Sequence, residues 1–152
     1  MEKLTILTYP NEHLRVKCKP IKKVTENRKN KIRQMLRLMH SNGGIGLAAP
    51  QVGWDVRAFV IGLRTEDDIM HEFVFINPEI INKSEETIIM PEGCLSIPGT
   101  YVDIERPEQI IIIAKDLDGS MFEMEADGIL ARCIQHENDH LSGVLIIDRS
   151  SS

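Results

Sequence analysis

The 152-residue sequence has no apolar run approaching the roughly 20 residues that a membrane-spanning helix needs, so no span and no membrane partner are expected. It opens MEKLTILTYPN, without the apolar core of a secretory signal or the Arg/Ser-rich, acid-poor composition of a transit peptide. Three cysteines are too few to suggest a disulfide framework. Together these absences lead to the expectation of a reducing compartment: a cytoplasm, or an organelle or host cytosol. No internal repeat, long linker or low-complexity tract divides the chain. With 42% hydrophobic residues, it is expected to fold as a single domain over residues 1–152.

Charge is unevenly spread. Residues 1–42 hold eleven Lys/Arg against three Asp/Glu, the remainder seven against twenty, and the net is −5. Half of that basic excess, five Lys/Arg against one Glu, lies in TENRKNKIRQMLRLMHSN, residues 25–42. Thr25 can cap this segment, and Ile32, Met35, Leu36 and Met39 recur at i, i+3, i+4 and i+7. That spacing predicts an amphipathic helix with its apolar stripe inward and its basic face in water. Beyond it, residues 57–62, 71–77, 86–90, 101–105, 109–115 and 121–125 read as strands, with DLDG at 116–119 as a hairpin turn. Residues 150–152 read as a frayed end.

The chemistry is concentrated in QHENDH, residues 135–140. His136 and His140 stand four apart with Glu137 between them. On a helix this places two imidazoles on one face, about 5–6 Å apart at Cβ, with a carboxylate beside a water on the shared ion. A shuffled chain of this composition would contain H-E-x-x-H with a probability of roughly 0.015, so context matters. Asp127 can serve as N-cap, Leu130, Ile134 and Leu141 follow helical spacing, and Gly143 stands where a left-handed residue would end the helix. The expected fold class is therefore α+β, with mixed or antiparallel strands packed around a central H-E-x-x-H helix and an N-terminal amphipathic helix.

A catalytic metal site of this kind takes three protein ligands and a water, which leaves one ligand to find. Ile146 occupies the position where metzincin proteases carry a third histidine. Thermolysin-like peptidases need a later glutamate, and Asp148 is the sole carboxylate after His140. The third ligand is thus expected upstream, among Cys94, Cys133, Cys18, the histidines at 13, 40 and 71, or a carboxylate. Cys133 lies roughly 10.5 Å along the axis from His140, too far to share an ion, and reads as a small buried hydrophobe near the site. Cys18 and the other histidines read as surface or packing residues. Cys94 sits among Pro91, Gly93, Pro98 and Gly99, in a turn or at a strand edge.

Three blocks in this order, GIGLAAPQ at 44–51, EGCLS at 92–96 and QHENDH at 135–140, resemble the motifs of the peptide deformylases, and flanking similarity extends over essentially the whole chain. The resemblance implies Cys94, His136 and His140 as metal ligands, a metal-bound water as nucleophile and Glu137 as general acid/base. It also implies Gln51 and the Leu95 backbone N–H as donors to the anionic intermediate, and hydrolysis of the N-formyl group from formyl-methionyl nascent peptides. Fe(II) is implied as the native ion, although the same donors accept Zn(II), Ni(II) or Co(II). Gly44, Ile45 and Gly46 would bind the peptide as an added strand, with Ile129 and Cys133 lining a methionine pocket. Their G-x-G-x-x-A spacing does not mark a dinucleotide site, because a helix precedes it and Pro50 follows.

Glu92, Arg106 and Asp139 are candidates for outer groups orienting the ligands, as against ordinary surface ion pairs. Glu137 is expected in a dry surround that raises its pKa. The basic helix raises a weaker expectation of ribosome association, with no DNA partner expected. A different metalloamidase, or a binding domain that the ion merely folds, would be distinguished by cleavage of unformylated peptides or by unfolding on chelation without turnover.

Overall fold

The structure, a computed structural model, describes residues 3–150; Ser151 and Ser152 of the expected frayed end lie outside the described residues. Helix α1 spans Glu26–Ser41, and the Thr25 side chain accepts from the Arg28 N–H, as its position before the apolar stripe predicts. Ile32, Met35 and Met39 are buried and Leu36 is half-buried. Seven strands follow: β1 (Gly46–Ala48), β2 (Ala58–Arg64), β3 (Met70–Lys83), β4 (Thr87–Cys94), β5 (Ile97–Pro107), β6 (Gln109–Lys115) and β7 (Met121–Asp127). Helix α2 spans Gly128–His140.

The ladders between these seven strands are antiparallel. One sheet has the order β1-β2-β3-β6-β7, and β4 and β5 pair separately as a two-stranded sheet. Alternation along β2 assigns its faces. Ala58 and Val60 pack in the cluster that includes Ile32, Met35 and Met39 of α1, whereas Phe59 and Ile61 pack with Ala131, Cys133 and Ile134 of α2. The two helices therefore cover opposite faces of the larger sheet. Helix α2 is sandwiched, with β5 of the smaller sheet also against it.

The hairpin at 116–119 closes as its residues dictate: the Asp116 carboxylate accepts from the N–H groups of Asp118 and Ser120. Asp127 occupies the N-cap of α2 without a side-chain cap bond. Past the end of α2, Gly143 has φ +76°, and its Cα faces the Arg15 carbonyl so closely that a Cβ would meet that oxygen at 2.5 Å. Two departures from expectation have local causes. Strand β3 runs through Pro78 because Asn77 adopts φ +51° and the register shifts between Ile76 and Glu79, which makes a bulge. The Asn77 amide holds this kink by bonding both the N–H and the carbonyl of Ile21. Strand β1, only three residues long, gives no period to read.

Candidate metal centre

Cys94 is the last residue of β4, and Leu95 and Ser96 form the two-residue turn into β5, so the thiol projects from a hairpin end. His136 and His140 stand one turn apart on α2, with ring centroids 5.3 Å apart. The ligand atoms of Cys94, His136 and His140 all lie within 4.8 Å of one another, and Cys94 Sγ is 3.4 Å from His140 Nε2. His136 Nδ1 lies 2.9 Å from Glu92 Oε1. A carboxylate partner there makes Nδ1 the protonated nitrogen and turns the Nε2 lone pair towards the thiol.

Electrostatics favour a cation at this point. Burial pulls the His136 pKa down, but Glu137, Cys94 and Glu92 outweigh it and push it up to about 10. The same acidic neighbours favour a divalent cation among the ligand atoms of Cys94, His136 and His140. Burial, then the charges of His136 and Arg106, hold His140 well below its ordinary value, so its ring stays neutral with a lone pair to give. One thiol and two imidazoles form a three-ligand set that leaves a coordination position open, and they fit a divalent transition metal.

Glu137 is buried on the same helix, its Oε2 3.7 Å from His136 Nε2, and its Oε1 has no hydrogen-bond partner among the described residues. Burial is the main cause that raises its pKa, to about 7. Strand β1 presses on it from the other side: a Cβ at Gly46 would collide with Glu137 Oε2. Gln51 follows in a 3-10 turn, Ala49–Val52, fully enclosed. Its Oε1 accepts from the Ala48 N–H at 2.8 Å and its Nε2 donates to Ser96 Oγ at 3.0 Å, so the amide is fixed with Nε2 3.6 Å from Cys94 Sγ.

A cavity of about 620 Å³ opens beside these groups, and Gly44, Ile45, Gly46, Ile129 and Cys133 all line it. Ile45 and Ile129 remain half exposed at its mouth, whereas Cys133 is enclosed and burial pushes its thiol up to about 12, leaving it neutral. Another cavity, of about 370 Å³, lies between Lys83, Gln109 and Glu125 and holds none of the candidate residues.

A family profile described as Polypeptide deformylase matches residues 3–152. The chain belongs to this family. A peptide deformylase of Borreliella burgdorferi is 46% identical over 145 residues, covering 95% of this chain and 86% of the relative. The crystal structure of the peptide deformylase from Thermotoga maritima superposes with a TM-score of 0.93 at 41% identity, over 100% of both chains. That of the Synechococcus elongatus peptide deformylase in complex with actinonin gives 0.92 at 44% identity, over 98% of this chain and 79% of the other. The α+β fold of this chain is thus the deformylase fold.

The outer groups form a chain of alternating charge rather than surface pairs. Arg149 grips Asp139 at 2.5 and 2.9 Å. Arg106 donates to Asp139 at 3.0 Å and to both oxygens of Glu92 at 2.6 and 2.9 Å. Burial opposes the charge on Glu92, but bonds to His136 and Arg106 pull its pKa down to about 2. Besides Arg149, sequence reasoning missed two members of this cluster. Arg132 donates to Glu92 at 2.6 Å, and Ser96 receives the Gln51 amide. Arg132 had a signal, since Arg132, His136 and His140 are spaced i, i+4, i+8 on one helix face. Ser96 had none beyond its place after Leu95.

Proposed function

We propose that this chain, as a single catalytic domain, removes the formyl group from the N-terminal formyl-methionine of newly made polypeptides. The observation that carries the reading is the convergence of Cys94, His136 and His140 beside buried Glu137, at the foot of an open cavity, in a chain of the deformylase family. The three converging residues would hold the ion, with Fe(II) as the native metal and Zn(II), Ni(II) or Co(II) accommodated by the same donors. When bound, the ion supplies a Lewis acid for the formyl oxygen and lowers the pKa of the attacking water.

The protein does the rest. Glu137 takes the proton from the water and delivers it to the departing amine nitrogen, a task that needs a carboxyl able to hold and release a proton near neutrality. Its burial raises its pKa against the opposing pull of any neighbouring cation. Gln51 cannot flip without giving up its bond from the Ala48 N–H, so its amide presents N–H rather than carbonyl to developing negative charge. Leu95 offers its N–H where the β4–β5 ladder gives way to the turn. The N-terminal side of β1, at Gly44–Ile45–Gly46, pairs with the peptide backbone: β1 is an edge strand with β2 on one side only, and main-chain bonds suit substrates of varied sequence. Ile129 and Cys133 receive the methionine side chain.

Substrate competition tests this. Formyl-methionyl peptide should release formate while the acetylated analogue releases no acetate, with no internal cleavage of unformylated peptide; peptide-bond cleavage would instead identify a different amidase. Weak ribosome association through the basic face of α1 is part of the same proposal. Residues such as Lys29 and Arg37 supply the charge, and co-sedimentation should weaken as salt rises. Among the described residues, no helix is long and apolar enough to cross a membrane.

A further inference from the structure

The three converging residues come from two separate bodies. Cys94 belongs to the β4–β5 pair, and the histidines belong to a helix seated on the five-stranded sheet; among the described residues no strand ladder joins the two sheets. The spacing of the metal ligands therefore depends on how the small sheet is held against α2.

We infer that Arg132 is a positioning residue for the metal centre, fixing the strand pair that carries Cys94 against the helix that carries His136 and His140. The inference rests on the ligand assignment above. Arg132 is 8% exposed, an expensive place for a guanidinium unless its charge is paired and hydrogen-bonded. Its Nη1 donates to Glu92 Oε2 at 2.6 Å and to the Ile104 carbonyl at 3.0 Å, and its Nη2 donates to the Ile88 carbonyl at 2.5 Å. One side chain on the helix thus holds the backbone of β4, the backbone of β5 and the carboxylate two residues before Cys94. The same carboxylate accepts from His136, so Arg132 sets both sides of the gap.

Other bonds cross this boundary but do less. Gln135 reaches only the Pro107 carbonyl, at the end of β5 remote from Cys94, and Arg106 ties β5 to Asp139. A residue serving stability alone would not need charge, since an apolar side chain of similar volume is often as good in a buried position. A planar fork matched to three acceptors specifies geometry.

The test uses metal-free protein titrated with Co(II), read by chelator competition and by the thiolate-to-cobalt absorption band. Arg132→Met should lower the affinity about 10–100-fold, the range for loss of a group that orients a ligand, and should weaken the band at saturation. Gln135→Leu should lower the melting temperature and leave band and affinity in place. Arg132→Lys keeps the charge without the fork and should fall between wild type and Arg132→Met; it carries the test if the methionine variant does not fold. Wild-type affinity and band in either Arg132 variant would overturn the inference. Loss of Co(II) affinity in the variants, with no formate release by wild type, would remove the deformylase reading and leave this one standing. Turnover by wild type, with unchanged Co(II) binding in the variants, would do the reverse.

Discussion

Alanine at Gly46 adds a single methyl group where the structure has no room for it. The glycine has no positive φ, so alanine is conformationally permitted there; the obstacle is the Glu137 carboxylate, on which the new Cβ would land. Gly46 is buried and its strand is pinned to Ile61 of β2, so the carboxylate must yield more than the strand. Overpacking of this kind costs about 1–3 kcal/mol. In a domain of this size each kcal/mol lowers Tm by about 2–4 °C, which gives a loss of a few degrees up to about 12 °C. The catalytic cost is larger in proportion, because displacing a reacting group by about 1 Å can cost 100-fold in rate. Gly62 of β2 supplies the control: its added Cβ would meet Met39 Cε at 2.7 Å, the far end of a flexible side chain away from the metal centre. Formate release and metal content are measured on both variants. Gly46→Ala should keep its metal and lose about 100-fold in kcat, while Gly62→Ala should stay within about tenfold of wild type, a difference of about 1.4 kcal/mol. A Gly46→Ala enzyme with unchanged kcat would refute the assignment of Glu137 as the proton carrier held against this strand.

Chelation should abolish turnover while far-UV circular dichroism persists, because the apolar clusters and the Arg106–Glu92–Arg132 pairing do not need the ion; unfolding on chelation would favour a metal-folded binding domain. Cys133→Ala should retain full metal stoichiometry and mainly raise KM for the methionyl peptide, since the buried neutral thiol lines the cavity and is no ligand; loss of metal would contradict this. The Asp148 carboxyl is bonded by Arg15, which holds its pKa below the ordinary 3.8. Its stabilising contribution is therefore complete above that value and lost as pH falls through the lower folded value. The Tm advantage of wild type over Asp148→Asn should be small, as for an exposed pair, constant from pH 5 to 7, and should shrink below pH 4; an advantage that grows on acidification would contradict the sign.

The helix carrying His136, Glu137 and His140 was legible because its information is local: the i, i+4 spacing, the apolar repeat and Gly143 all lie within 17 residues of Asp127. Cys94 lies 42 residues before His136, and spacing alone left it one candidate among several until the motif blocks were read together. Its convergence on the histidines depends on a hairpin end and on the packing of two sheets, neither of which has a period in the sequence. Residues 57–62 and 109–115 read as strands through their apolar runs. Strand β3 was legible only to residue 77, because Pro78 ordinarily ends a run and the compensating bond from Asn77 to Ile21 spans 56 residues. Arg132 was overlooked because a guanidinium on the inward face of a helix is the exception to the burial rule. What makes it acceptable there, two carbonyls and a shared carboxylate, comes from strands β4 and β5.

The central claim, that the three converging residues and Glu137 form a deformylating centre, is tested most directly on one anaerobically purified sample. Formate release from a formyl-methionyl peptide is followed alongside metal content, with Glu137→Gln as the paired variant. Turnover by wild type that collapses in Glu137→Gln, with about one metal per chain in both, is the predicted result. Absence of turnover in wild type fully loaded with iron, nickel or cobalt would contradict the account.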